Sequence, residues 1–194
     1  SAEVYGIPQK LPISESHPMA PISPYGKSKV EQERIALEHF RNSGMHIVIS
    51  RSFNHTGPGQ PSEFVCSNLA KQVADIGKGR QLAVIKVGNL RINRDFSDVR
   101  DVVRAYLLLL EKGRAGEAYN VCSGSTFAIG DVIDRLAKIS GADFKVEQEP
   151  SRVMDNAVPV LHGDHSKLTA ETGWKPTISF DQTLADLLGY WKRK

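Results

Sequence analysis

Ser23-Pro24-Tyr25-Gly26-Lys27-Ser28-Lys29, closed at Asn42-Ser43-Gly44 and followed by His46-Ile-Val-Ile-Ser-Arg-Ser-Phe53, reads as a helix-to-strand step of an α/β unit. Serine before proline is the pattern of a helix N-cap and first helical residue. Val30, Ile35, Leu37 and Phe40 mark an apolar side on the helix that follows, and Gly44 ends it. The run from His46 to Phe53 then reads as a buried strand. Working outward, the same signals predict a helix over about 63–76, a strand over 82–87, a helix over 99–112 and a strand over 118–122. Further helices are predicted over 129–140, 166–172 and 180–191. Helix and strand alternate, so the expected class is α/β. The proline-rich segment from Leu11 to Pro24 reads as an irregular surface loop.

Within the first helix, Tyr25 and Lys29 stand at i and i+4, on one face and about 6 Å apart along the axis. An ammonium held beside a phenol stabilises the phenolate, which makes the two an acid/base couple for moving a proton to or from a sugar or alcohol oxygen. Ser1 is a candidate for a third hydrogen bond to that oxygen.

Composition bounds the rest. The 194 residues, 40% hydrophobic and 24% charged, can bury one substantial core. A net charge of +3, spread along the chain, does not point to nucleic acid, and Lys192-Arg-Lys194 reads as a solvated terminus. There is neither an 18-residue apolar run nor a signal-like segment, so a cytoplasmic protein is expected. Cys66 and Cys122 read as small packed hydrophobes, and no metal site is read.

Longer motifs carry a resemblance. Ser1-Ala-Glu3-Val-Tyr-Gly, Tyr25 with Lys29, and Arg51-Ser-Phe-Asn54-His55-Thr-Gly57-Pro58-Gly59-Gln60 follow one another in the order of the extended short-chain dehydrogenase/reductase family. Val87-Gly-Asn89-Leu90-Arg-Ile-Asn-Arg94-Asp95-Phe96-Ser-Asp98-Val-Arg-Asp101, Ala118-Tyr-Asn-Val-Cys-Ser-Gly124, Gly163-Asp164-His-Ser-Lys167 and Gly173-Trp174-Lys-Pro176 continue it along essentially the whole chain. Within that family the chain most resembles the nucleotide-sugar enzymes acting on GDP-mannose derivatives, the 4-keto-6-deoxymannose reductases first and the GDP-mannose 4,6-dehydratases second.

The resemblance implies a partial Rossmann-like fold. The family's G-x-x-G-x-x-G pyrophosphate turn is not in this sequence, which therefore reads as the C-terminal portion of a longer enzyme. Residues 1–60 would be the remainder of the Rossmann-like domain with the catalytic helix. Residues 61–194 would be mainly the substrate-binding subdomain, with segments returning to the Rossmann-like sheet. An incomplete parallel sheet exposes an edge, and a homo-oligomer is the expected outcome.

By the same resemblance, a nicotinamide cofactor, NADP or NAD, would deliver hydride to a 4-keto carbon while Tyr25 protonates the oxygen. Lys29 would bind the nicotinamide ribose, Ser1 would hydrogen-bond the reacting oxygen, and His55 would lie near the carboxamide. Glu3 corresponds to the dehydratase base, and otherwise reads as a carboxylate tying down the following loop. Asn54, Lys71, Asn89, Leu90, Arg94 and Arg152 would bind the nucleotide sugar, the arginines at its diphosphate. Asn54 and Asn89 also fit Asx turns, and Lys71 also fits a solvated lysine. Asp98 and Asp101 read as supports of the next helix. After Arg152 the reductase pattern of a second arginine, a proline and an acid is replaced by Val153-Met154-Asp155-Asn156-Ala157.

Three functions are therefore expected of this pattern. The first is NAD(P)H-dependent reduction of a GDP-4-keto-6-deoxyhexose; dehydration or epimerisation of a nucleotide sugar is the second. A binding or assembly module without turnover is the third. For the isolated chain no turnover is expected, because the turn that positions the hydride donor is not part of it.

Overall fold

The computed structural model describes residues 1–152 and 158–194, the side chain of Arg152 excepted. The chain opens with a tight turn at Ala2–Val4 and then forms α1 (Pro24–Ser43), β1 (Ile49–Ser52), β2 (Asn54–Thr56), α2 (Val65–Gly77), β3 (Val84–Val87) and β4 (Asn93–Asp98). After these come α3 (Val99–Lys112), β5 (Ala118–Val121), β6 (Thr126–Ala128), α4 (Ile129–Ser140), β7 (Lys145–Gln148), β8 (Val160–Leu161), α5 (Ser166–Thr172) and α6 (Phe180–Arg193). The chain divides into two compact units, one of residues 1–55, 95–126 and 160–177 and the other of residues 56–94, 127–159 and 178–194.

In the first unit, β1 pairs in parallel with β5, placing Ile49 opposite Ala118 and Ser52 opposite Val121. Parallel neighbours require a long connection, and helices supply it. α3 buries Val102, Ala105 and Leu109 at helical spacing, and these pack with Tyr119 and Val121 of β5, Leu168 of α5, and Trp174. The Trp174 indole N–H donates to the Asp101 carbonyl at 3.0 Å, so the largest core side chain leaves no polar group unpaired. In the second unit, β3 pairs in parallel with β7, and α2, α4 and α6 pack on one another. Leu69, Val73, Leu136, Leu184, Leu187 and Leu188 are buried there.

The helix ends follow local chemistry. Ser23 accepts from the Gly26 N–H at 2.9 Å with Pro24 first in α1, and Gly44 closes α1 in the left-handed region at φ 67°. Asp98 caps α3 through the Arg100 N–H at 2.8 Å, which is the supporting role read for it. Cys66 and Cys122 are buried free thiols that burial pushes above their ordinary range, consistent with packed hydrophobes. One correction concerns the apolar side of α1. Ile35 is 45% exposed, whereas the buried side chain of this helix is Glu33.

Before α5, the Asp164 carboxylate accepts from the Ser166 N–H at 2.8 Å. Hydrogen bonding to Ser166 holds its pKa below the ordinary 3.8. A depressed folded-state pKa gives stability that is complete above the ordinary value and is lost as pH falls through the folded one. Asp164→Asn keeps a cap oxygen but removes the charge from the helix start, so it should cost about 0.3–1 kcal/mol at pH 7. Urea unfolding of both proteins at pH 7 and pH 3 should show that gap narrowing at the lower pH.

Candidate active site

The first unit brings the four proposed catalytic residues to one place. Tyr25 and Lys29 lie on one face of α1, and the Lys29 ammonium is 5.3 Å from the centroid of the Tyr25 ring. Tyr25 is 54% exposed. The Lys29 Nζ donates to Gln32 Oε1 at 2.9 Å, a bond within the helix surface that a ligand could replace.

Ser1 and Glu3 belong to the Ala2–Val4 turn, where Ser1 Oγ accepts from the Glu3 N–H at 3.3 Å. This turn lies against the start of α1. The Ser23 hydroxyl donates to Glu3 Oε2 at 3.4 Å, and a Cβ added to Gly26 would stand 2.6 Å from the Glu3 carbonyl oxygen. Gly26 is therefore needed for the close approach of helix and turn, not for a left-handed backbone. The Glu3 carboxylate thus accepts from the residue that caps α1.

Asn54 and His55 follow β1 and are exposed. The His55 Nδ1 lies 3.0 Å from the Phe53 carbonyl, which fixes the ring. Further along, Arg94 and Asp95 are neighbours in β4 with different tasks. Asp95 is fully buried and accepts from the Ser123 N–H and hydroxyl at 2.7 Å each, the Gly124 N–H at 3.0 Å and the Gly163 N–H at 3.3 Å. Burial pushes its pKa up and these donors pull it down, with a net rise. It organises the turns at Gly124 and Gly163.

The remaining proposed substrate ligands fall in the second unit. Lys71 pairs with Asp75 at 2.7 Å and lies 5.9 Å from the Trp191 ring centroid. Asn89 Oδ1 accepts from the Arg91 N–H at 2.9 Å, which is an Asx turn. The Leu90 carbonyl accepts from the Gly130 N–H, and Arg94 Nη1 donates to the Asn93 carbonyl at 2.8 Å. Arg152 ends a short turn at Pro150–Arg152, and its side chain lies outside the described residues, as do Val153 to Ala157.

The sequence reading missed Gly26, Ser23 as a partner of Glu3, and the buried pair of Glu33 with Arg51. A glycine inside a helical pattern and a charged residue inside a buried-strand pattern were the available signals.

Among described residues no cluster of His, Cys, Asp or Glu could hold a metal ion, and no helix is long and apolar enough to cross a membrane. For a nicotinamide ribose, the donor set does fit: an exposed phenol and an ammonium share one helix face.

Solved structures confirm the architecture. RMD from Pseudomonas aeruginosa, determined as a complex with NADPH, superposes with a TM-score of 0.95 at 37% identity, covering 100% of this chain and 65% of that one. dTDP-glucose 4,6-dehydratase from Bacillus anthracis, determined with NAD, gives a TM-score of 0.86 at 26% identity, covering 100% of this chain and 60% of that one. The fold is thus that of the extended short-chain dehydrogenase/reductases, the Rossmann-like class that modifies nucleotide sugars.

Within that class the chain belongs to the GDP-mannose 4,6 dehydratase family, whose model matches residues 1–187. It is 38% identical to GDP-6-deoxy-D-mannose reductase of Pseudomonas aeruginosa over its whole length, and it spans 64% of that protein.

Proposed function

We propose that this chain is the catalytic and substrate-binding part of an NAD(P)H-dependent reductase of a GDP-4-keto-6-deoxyhexose. The observation that carries the reading is the pairing of Tyr25 with Lys29 on α1, against the turn that holds Ser1. The identity with the Pseudomonas reductase supports the choice of substrate.

In this reading the Tyr25 hydroxyl donates its proton to the carbonyl oxygen of the sugar as negative charge develops there. Ser1 Oγ donates a second hydrogen bond to the same oxygen, an interaction that strengthens as the charge grows. Lys29 favours the phenolate left behind and holds the ribose of the cofactor. A bound nicotinamide would supply the hydride. Asn54, Asn89, Leu90, Arg94 and Arg152 hold the nucleotide sugar; Lys71 joins them on releasing Asp75, and His55 lines the cofactor side.

A 4,6-dehydratase is the second reading, favoured by the family model. It needs the Glu3 carboxylate free to take a proton, and the bond from Ser23 weighs against that. A homo-oligomer and a cytoplasmic location complete the proposal. The apolar stripe of Val103, Tyr106, Leu107 and Leu110 exposed on α3 supports self-association.

Calorimetric titration of the chain with GDP-mannose and with UDP-glucose tests the substrate assignment. Saturable heat with GDP-mannose alone is expected. Equal binding of both, or none of either, would overturn the assignment to GDP sugars. Light scattering after size exclusion reads the oligomeric state, and a monomer would remove that part of the proposal.

A further inference from the structure

We infer that the buried pair of Glu33 and Arg51 fixes how α1 presents Tyr25 and Lys29, and that both are positioning residues for the site. The functional consequence rests on the reductase reading above; the geometry does not.

Helix α1 buries only two residues, Gly26 and Glu33. The first is the contact with the Ala2–Val4 turn, where an added Cβ would meet the Glu3 carbonyl. A single attachment at a helix start is a pivot, about which the rod can still tilt and roll. Glu33 supplies a directional attachment in mid-helix, and the Phe40 ring a non-directional one near the far end, where it packs against Gly116. Glu33 lies about 12 Å further along the axis than Tyr25 and about 80° round it, with Lys29 midway between.

The pair is directional. Arg51 Nε donates to Glu33 Oε1 at 3.2 Å and to Oε2 at 3.1 Å, and Nη2 donates to Oε2 at 2.8 Å. The guanidinium is itself held, since Nη1 donates to the Tyr5 hydroxyl and to the Glu15 carbonyl at 3.1 Å each. Tyr5 passes the connection on to β5, donating to Asn120 Oδ1 at 2.7 Å, and Asn120 Nδ2 donates to the Ile13 carbonyl at 2.8 Å. Burial pushes the Tyr5 pKa up to about 12, so its hydroxyl keeps the proton it donates across the physiological range.

The serine side of the site is tied to the same strand. The Ser1 nitrogen donates to the Ser50 carbonyl at 3.3 Å, and Ser50 precedes Arg51 in β1. Adjacent residues of β1 therefore hold the serine turn and the tyrosine helix. Apolar packing at position 33 would give comparable stability without fixing an angle, because it is non-directional and a buried ion pair contributes little net stability over well-packed hydrophobes. Directionality is the property the pair adds.

The test separates position from stability. In Glu33→Leu/Arg51→Met the charges are replaced together, and residual dipolar couplings of the α1, β1 and β5 amides report the helix direction in the chain itself. The expected result is a turn of α1 by more than about 10°, the tolerance of a preorganised site, with the urea midpoint retained. An α1 direction unchanged from wild type would overturn the inference. If that double variant does not fold, Glu33→Met/Arg51→Leu, which likewise removes both charges and all of their hydrogen bonds, is measured in the same way, with the same two outcomes.

Turnover gives a second readout in a chimera in which this chain replaces the matching part of the Pseudomonas reductase. There the double variant should lose about 10- to 100-fold in kcat with the nucleotide-sugar KM unchanged. A wild-type kcat in an active chimera would overturn the functional half. Tyr25→Phe in the same chimera tests the reaction reading separately, since it leaves the pair and the direction of α1 intact.

Discussion

Arg51→Met is expected to lower the unfolding free energy by about 3–5 kcal/mol, the usual cost of removing one partner from a buried ion pair. Glu33 and Arg51 are both buried, and the Glu33 carboxylate takes all of its described hydrogen bonds from Arg51. Methionine is similar in length and apolar, so most of the cost is the stranded carboxylate and not a cavity. The Glu15 carbonyl loses a donor as well, and Tyr5 loses the guanidinium 5.2 Å from its ring centroid. Arg51→Lys should recover only part of the loss, because an ammonium cannot reproduce the fork that serves Glu33, Tyr5 and Glu15 together. Glu33→Leu/Arg51→Met should return close to wild-type stability, since no charge is then left unpaired. Urea denaturation of the four proteins at pH 7 measures these differences, and unchanged m-values would show that the same surface is exposed in each. A loss of less than 1 kcal/mol in Arg51→Met would mean that water reaches Glu33.

Much of this architecture was legible because its signals are local. Ser23 and Gly44 bound α1, Asp98 starts α3, and Gly141 and Gly173 end α4 and α5, each through a contact within a few residues of the helix end. Tyr25 and Lys29 were legible for the same reason: their relation is set by helix pitch alone. The Lys71 pair with Asp75 is also an i, i+4 relation and could have been read from sequence.

What escaped reading depends on distant partners. β7 carries Lys145, Val146, Glu147 and Gln148, all exposed, so no alternation marks it. β6 and β8 have three and two residues, too few for any period to appear. In β4 the buried positions include Asp95, Ser97 and Asp98, polar residues that give no apolar alternation. The Asp95 partners that make its burial tolerable come from turns at Ser123 and Gly163. Nothing near Glu33 in sequence marks it as buried, because the arginine that pairs with it stands 18 residues later, in β1. The run from His46 to Phe53 proved to hold one short strand, Ile49–Ser52, with β2 starting at Asn54.

Tyr25→Phe is the sharpest test of the chemistry, with an expected loss of about 10²–10⁴-fold in kcat and little change in the nucleotide-sugar KM. The phenol oxygen is the only atom removed. Tyr25 is exposed and its hydroxyl makes no hydrogen bond among the described residues, so stability should stay within about 0.5 kcal/mol of wild type. The ring that lies 5.3 Å from the Lys29 ammonium is retained, so Lys29 keeps its neighbour. A loss of turnover then reports proton donation and not folding or substrate binding. The assay uses the chimera with the Pseudomonas aeruginosa reductase, of which this chain spans 64%. Glu3→Gln in the same background distinguishes the two reactions. A glutamine can still accept from Ser23, so the α1 cap survives, and a reductase should keep its kcat within a few-fold. A dehydratase would lose its base and fall by a factor like that of Tyr25→Phe. Turnover that persists in Tyr25→Phe would remove the phenol from the mechanism and leave Ser1 and Lys29 as binding groups only.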